Sequence, residues 1–203
     1  MKTILHLCAD IGSDSYPYSC DNNYMVVKVG KDIGVENYHH DRPIHGIIAN
    51  PECTHFSFAR YSNGIDPTKG LWMVGECLRI IEEASPAWYV IENPATGMLK
   101  NYLGIPKFIY DPWNFGSPWT KKTALWGSFN TPVKLFHSWD DVPKNDTLYI
   151  RPGRSRPNFA FFHKSAIYNI PEFKPFISLV DSDSAFRSLC SQGFAKAFKE
   201  VNP

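Results

Sequence analysis

"IHGIIANPECTHFSFARYSNGIDPTKGLWMVGECLRIIEEASPAWYVIEN", residues 44–93, holds the pattern that decides the fold. Two short apolar runs, residues 44–50 and 87–93, flank a segment in which Leu71, Val74, Leu78 and Ile81 recur at helical spacing. Pro67 suits the start of that helix and Pro86 stops it. The apolar runs are nearly continuous, as strands buried on both faces of a parallel sheet are. The unit therefore reads strand, helix, strand. Working outward, "TILHLC" (residues 3–8) is a strand that runs into the Gly- and Ser-containing turn "ADIGSDS", and "YMVVKVG" (residues 24–30) is a β-branched strand. The C-terminal "DSDSAFRSLCSQGFAKAFKEVNP" reads as a loop and a final helix with Phe194, Ala197 and Phe198 on its apolar face. The expected fold is α/β, doubly wound around a mostly parallel sheet.

The chain has 203 residues, enough for one substantial core and short for two, so a single domain over residues 1–203 is expected. Residues 134–175 are rich in Pro, Arg and aromatics without periodicity, and are read as a loop-rich insertion with a small hairpin. Lys and Arg total 21 against 20 for Asp and Glu, so any polyanion binding must come from local clustering. The N-terminus lacks the pattern of a signal peptide and no apolar run is long enough to span a bilayer, so a soluble, intracellular protein without a membrane partner is expected. Five scattered cysteines, with no C-x-x-C pair and no histidine cluster, suggest neither a disulfide framework nor a metal site.

In an open α/β sheet, chemistry is sought in the loops that follow the strands. The first such loop, Cys8 to Ser15, has a glycine that lets backbone approach a ligand, and Asp10 suits a cationic or hydroxyl-bearing group; any strand can equally end in such a turn. The second carries Cys53. Most free cysteines are small buried hydrophobes, yet Asn50-Pro51 has already ended the strand and polar residues surround this thiol. The third carries Glu92, directly after an apolar run and before Asn93-Pro94; an acid there can also simply hold a loop. Loops from two strands flanking one helix bring Cys53 and Glu92 within reach of each other. A thiol beside a carboxyl suits attack on an electron-poor ring with proton transfer to a ring nitrogen.

Pro51-Glu52-Cys53-Thr54-His55-Phe56-Ser57 resembles the P-P-C-x-x-F-S motif of the DNA cytosine-5 methyltransferases, and Glu92-Asn93-Pro94 resembles their E-N-V or E-N-P motif. "PWTKKTALWG" and the terminal "GFAKAF" are similar to segments of the short, phage-type members, which lack a full target-recognition domain. The resemblance runs from Ile4 to the C-terminus. It implies an S-adenosylmethionine-dependent (Rossmann-like) methyltransferase fold and methyl transfer to carbon 5 of cytosine in DNA, in the cytoplasm of a bacterial or phage-infected cell. On that resemblance Cys53 adds to carbon 6 of a base taken out of the stack, and Glu92 protonates N3. Asp10, Ile11 and Gly12 fall in the family's cofactor loop, Asp32 matches the acid that reads the adenine amino group, and Asn50, Pro51 and Gln192 are further cofactor contacts. Lys122 is ranked with the catalytic pair. Ser57, Asn93, Lys121, Arg151 and Arg154 are ranked as substrate contacts, with Phe159, Phe161 and Phe162 near the arginines for packing or stacking.

The sequence departs from the family at three places. Glu52 replaces the second proline of P-P-C and adds a charge that opposes thiolate formation. The first loop lacks F-x-G-x-G, and Gly30 rather than an acid ends the second strand. Alternatives are the same chemistry on RNA or a free nucleotide, and a catalytically inactive nucleic-acid-binding relative. Asn50-Pro51-Glu52-Cys53 also overlaps the N-P-P-aromatic motif of amino-group methylases, but a cysteine cannot stack on a base as that aromatic does.

Overall fold

The computed structural model describes residues 1–56 and 66–203. Strand β1 (Lys2–Leu7) is buried from its second residue onward, as its apolar run requires. It pairs in parallel with β2 (Tyr24–Val29) on one side and β3 (Gly46–Ala49) on the other. β3 pairs in parallel with β4 (Trp88–Pro94). Registers Leu7↔Val29, Leu7↔Ala49 and Ala49↔Ile91 align the carboxyl ends of all four strands at one edge.

Two further strands complete the sheet. β6 (Thr123–Ser128) runs antiparallel to β4, and β5 (Phe108–Tyr110) antiparallel to β6, giving the order β2-β1-β3-β4-β6-β5 among the described residues. The registers Pro94↔Thr123 and Tyr110↔Thr123 bring the start of β6 to the edge where the parallel strands end. The sheet is thus the doubly wound, mostly parallel one expected, with one reversed strand inserted. β5 is too short for a periodic signal, and β6 is announced only by its apolar middle.

Apolar clusters cover both faces. On one, Leu5, Leu7, Ile47 and Ile91 meet helix α2 (Thr68–Ala84), which falls in the chain between the one-turn helices α1 (Tyr16–Ser19) and α3 (Lys100–Leu103). α2 buries Gly70, Val74, Cys77, Ile80 and Ile81, while Leu78 is exposed. The stripe is therefore rotated from the expected one: at 100° per residue Cys77 and Ile80 lie on the side of Val74 and Ile81 away from Leu71 and Leu78. The helix ends at Ser85, whose φ of +44° is followed by Pro86. On the other face, Ile4, Ile48 and Val90 meet α5 (Gln192–Val201) through Phe194, Ala195 and Phe198. Ala197 is only partly buried against that cluster.

The expected hairpin in the loop-rich insertion is absent; residues 134–175 hold 3-10 turns at Trp139–Asp141, Phe159–Phe161, Lys164–Asn169 and from Pro171 on. Pro143, Pro152, Pro157, Pro171 and Pro175 remove the N–H groups a ladder needs. A third cluster holds this segment instead. Trp119 stacks on Phe159 at 5.6 Å and meets Phe173 at 5.6 Å, and Phe186 of α4 (Asp183–Ser188) lies 5.0 Å from Phe159. Among the described residues no helix is long and apolar enough to cross a membrane.

Candidate active site

Asn50 leaves β3 with its N–H still donating to Leu7 O, at 3.1 Å, and Pro51 then ends the ladder. The 3-10 turn Cys53–Phe56 follows. Fully buried Phe56 anchors it, and Phe56 O accepts the N–H of Met98, at 2.8 Å, from the loop after β4. Gly70 permits the close seat of this turn on α2, since a Cβ there would stand 2.6 Å from His55 Cβ and 2.9 Å from the Phe56 ring. The Asn93 amide, buried, donates to Pro51 O at 2.9 Å, tying the cysteine loop to β4. Ser57 lies outside the described residues.

Cys53 is open to solvent on one side, yet protein crowds the thiol enough that burial is the largest cause raising its pKa. Glu92 raises it next and Lys121 lowers it, while Glu52 contributes least of the named charges. The Glu52 carboxylate accepts the Thr54 hydroxyl at 2.6 Å and sits 4.0 Å from His55 Nε2, so its charge is engaged by its own turn. Glu92 too has a raised pKa, from burial first; Asp14 adds to the rise, and Lys121 and a hydrogen bond from Asn50 oppose it. A cavity beside Glu92 is lined by Asp14, Tyr110, Lys121, Cys190 and Ser191.

Lys121, rather than Lys122, is brought to this centre. Its Nζ donates to Leu189 O at 3.0 Å and lies 5.5 Å from the centre of the Phe159 ring, while its backbone N–H donates to Asp111 at 3.0 Å. Lys122 influences Asp111, and its carbonyl accepts the Ala95 N–H at 2.9 Å. Strand alternation explains the exchange: adjacent residues entering β6 face opposite ways.

Behind Glu92 runs a polar chain of which motif reading names only Asn50, as a cofactor contact. His6, buried within β1, places Nδ1 2.8 Å from Ser15 Oγ and Nε2 2.6 Å from Asn50 Oδ1. Asn50 Nδ2 in turn donates to Asp14 Oδ1 at 3.3 Å and to Glu92 Oε2 at 3.2 Å. A lone histidine in an otherwise apolar strand was the available signal.

The first loop lies beside β2. Gly12 has φ of +81°, and Lys28 packs where its Cβ would be, at 2.6 Å, while Lys28 Nζ donates to Ile11 O at 3.3 Å. Asp10 accepts the Lys31 N–H at 3.0 Å. A Cβ on Gly30 would come within 2.8 Å of Asp10 Oδ1 and 3.1 Å of Asp32 Oδ1, so both acids gather over the end of β2. Gln192 is buried and donates to Ser13 O at 2.9 Å. Among the described residues, Gln192 Oε1, Ser191 Oγ and Asn93 Oδ1 are buried and meet no hydrogen-bond partner. The Glu172 carboxylate accepts the Gln192 N–H at 2.6 Å and the Ser117 hydroxyl at 2.8 Å, joining the loop-rich segment to α5. Arg151 and Arg154 lie exposed on that segment, Arg151 stacked 4.8 Å from the Phe161 ring, and neither belongs to the network around Glu92. Among the described residues no His, Cys, Asp and Glu group is arranged to hold a metal ion.

Comparison with known proteins bears out the resemblance. Residues 20–104 match the family described as C-5 cytosine-specific DNA methylase, a segment containing both the cysteine and the glutamate loops. A protein of Frog virus 3 (isolate Goorha) named "Probable DNA (cytosine-5)-methyltransferase" is 28% identical over 145 residues, 57% of this chain and 66% of that protein. The match thus spans just under two thirds of that relative's length. A solved structure titled "putative DNA modification methyltransferase encoded within prophage", from E. coli, is 15% identical with a TM-score of 0.47, over 76% of this chain and 56% of that one.

Proposed function

We propose, for a chain related to the C-5 cytosine-specific DNA methylases through residues 20–104, that it methylates carbon 5 of cytosine in DNA with S-adenosylmethionine as donor. The observation that carries this reading is the meeting of the Cys53 thiol, the Glu92 carboxyl and Lys121 at one sheet edge, where Glu92 and Lys121 both act on the thiol and Lys121 acts on Glu92. The donor set suits that cofactor, which carries a sulfonium, an ammonium, a ribose diol and an adenine amine. Asp10 and Asp32 stand over Gly30, Asp14 lines the cavity, and Ser191 Oγ and Gln192 Oε1 lack partners among the described residues. When bound, the cofactor supplies an electrophilic methyl group.

The residues of the chain supply the rest. The Cys53 thiolate adds to carbon 6 of a base held out of the stack, and the S–C6 bond forms at the expense of aromaticity. Glu92 gives its proton to N3, so the electron pair comes to rest as an enamine with carbon 5 nucleophilic. Lys121 holds negative charge in this centre without joining the covalent step. After methylation, loss of the carbon 5 proton to solvent and departure of the thiolate restore the ring, and N3 returns its proton to Glu92. Exposed Arg151 and Arg154, with Phe161, suit phosphates and a displaced base, on one domain spanning residues 1–203.

Incubating the protein with unmethylated DNA and methyl-labelled cofactor, then digesting to nucleosides, tests the reading. 5-Methylcytosine is expected. An N4-methylcytosine or N6-methyladenine product would overturn it, and labelling of RNA or free nucleotide in place of DNA would change the substrate.

The active form needs Cys53 ionised and Glu92 protonated, one proton shared by two groups whose pKa values are both raised. Its rate therefore follows a bell, with an acid limb where the pair loses its first proton and an alkaline limb where it loses its second. Glu92→Gln should lower kcat by roughly 10² to 10⁴, the usual worth of a general acid. It should also erase the alkaline limb, leaving a single rise with pH as Cys53 ionises, and move that ionisation to lower pH, because the charge of Glu92 is one cause of the raised thiol pKa. A variant that keeps the bell would remove Glu92 from the proton transfer.

A further inference from the structure

The chain from Ser15 to Glu92 allows one consistent direction of donation. With Asn50 Oδ1 facing His6, the amide cannot donate to the imidazole, so His6 Nε2 must carry the hydrogen that fills the 2.6 Å gap. Nδ1 of the neutral ring is then bare and accepts the Ser15 hydroxyl at 2.8 Å, a shorter contact than the 3.2 Å from that hydroxyl to Gly12 O. Burial, the largest influence on His6, lowers its pKa and keeps the ring neutral. Both amide hydrogens of Asn50 are left to point at carboxylates, one on Asp14 and one on Glu92.

We propose that His6, with its hydrogen on Nε2 and Nδ1 facing the Ser15 hydroxyl, locks the Asn50 amide so that Glu92 Oε2 can only accept, confining the transferable proton of Glu92 to Oε1. His6, Ser15 and Asn50 are positioning residues for the acid; none touches the base. A turned amide would set an N–H against His6 Nε2–H, which is repulsive unless the ring exchanges tautomer and Ser15 turns to Gly12 O. The tautomer of a buried histidine thus selects which oxygen of a distant carboxyl is the acid. The inference rests on the reading of Glu92 as proton donor.

Other charged and titratable groups also act on these two. Asp14 from the loop after β1, Lys121 ahead of β6, Cys53, Tyr110 of β5 and Cys190 ahead of α5 act on or feel Glu92, and Lys28 of β2 acts on His6. None of them is altered when His6 is replaced, so a change in the pH profile reports the amide.

Two measurements test the inference. Nitrogen-15 spectra of the histidine-labelled wild-type protein should show His6 neutral with its hydrogen on Nε2; a hydrogen on Nδ1 overturns the proposal without any variant. In the second, His6→Leu frees the amide to turn its oxygen toward Glu92 and favour the protonated acid. The acid limb of kcat/KM should move to higher pH, and kcat should fall by about a hundredfold, the scale of a misplaced catalytic group, with KM for DNA little changed. His6→Gln, whose amide can still donate to Asn50 Oδ1, should keep the wild-type limb and most of the rate. If Leu and Gln behave alike, His6 is packing alone. Glu92→Gln assayed alongside separates the two failures: wild-type rate there would remove the acid itself, whatever the tautomer of His6.

Discussion

Cys53→Ala should abolish methyl transfer, lowering kcat by about 10⁴-fold or more, as loss of a covalent nucleophile does in other enzymes. Without a thiolate no bond to carbon 6 forms, and the aromatic ring offers carbon 5 no electron pair to give. The experiment is an intact-mass measurement with cofactor and DNA containing 5-fluorocytosine. Fluorine at carbon 5 leaves no proton to lose after methylation, so the wild-type protein should remain joined to the DNA while the variant should not. Cys53 is solvent-exposed and the anchor of its turn is Phe56, so the variant should fold as the wild type does. Methyl transfer that survives the substitution would point to an exocyclic amine as acceptor.

Trp119→Ala carries the largest stability cost expected. Its indole is 2% exposed and meets the rings of Phe159, Phe162 and Phe173, so truncation leaves a void that rings fixed by 3-10 turns cannot fill. A loss of about 3–5 kcal/mol is expected, read as a lower urea midpoint at unchanged slope. Lys121 follows two residues on and lies against the same Phe159 ring, so activity should fall as well. Trp119→Phe should recover most of both. A cost below about 1 kcal/mol, the range of surface substitutions, would mean that the cluster is not a packed core.

The parallel half of the sheet was legible because buried parallel strands are written as continuous apolar runs, and the Asn50-Pro51 and Asn93-Pro94 breaks mark their ends. The placement of Cys53 and Glu92 at the sheet edge was legible because each follows such a run. Leu78 misled because a helical stripe tolerates a shift of one residue when Cys77 is as apolar as leucine. The loop-rich segment was opaque for a physical reason: its core is built from aromatics on 3-10 turns, and irregular backbone leaves no period to read. The preference for Lys121 over Lys122 depends on the register of β6, which nothing local to the two lysines encodes. His6 and Ser15 look ordinary in sequence and Asn50 reads there as a cofactor contact; only the pairing of β1 with β3 makes them neighbours.

The reversed strand β6 has a consequence for the order in which the centre is assembled. During synthesis Cys53 and Glu92 emerge with the parallel strands, whereas Lys121 and Ser191 are supplied by later parts of the chain that return to the same edge. Contacts of such long sequence separation form slowly, after the local ones. A nascent chain therefore carries its thiol and carboxyl side by side before the lysine that lowers the pKa of both arrives.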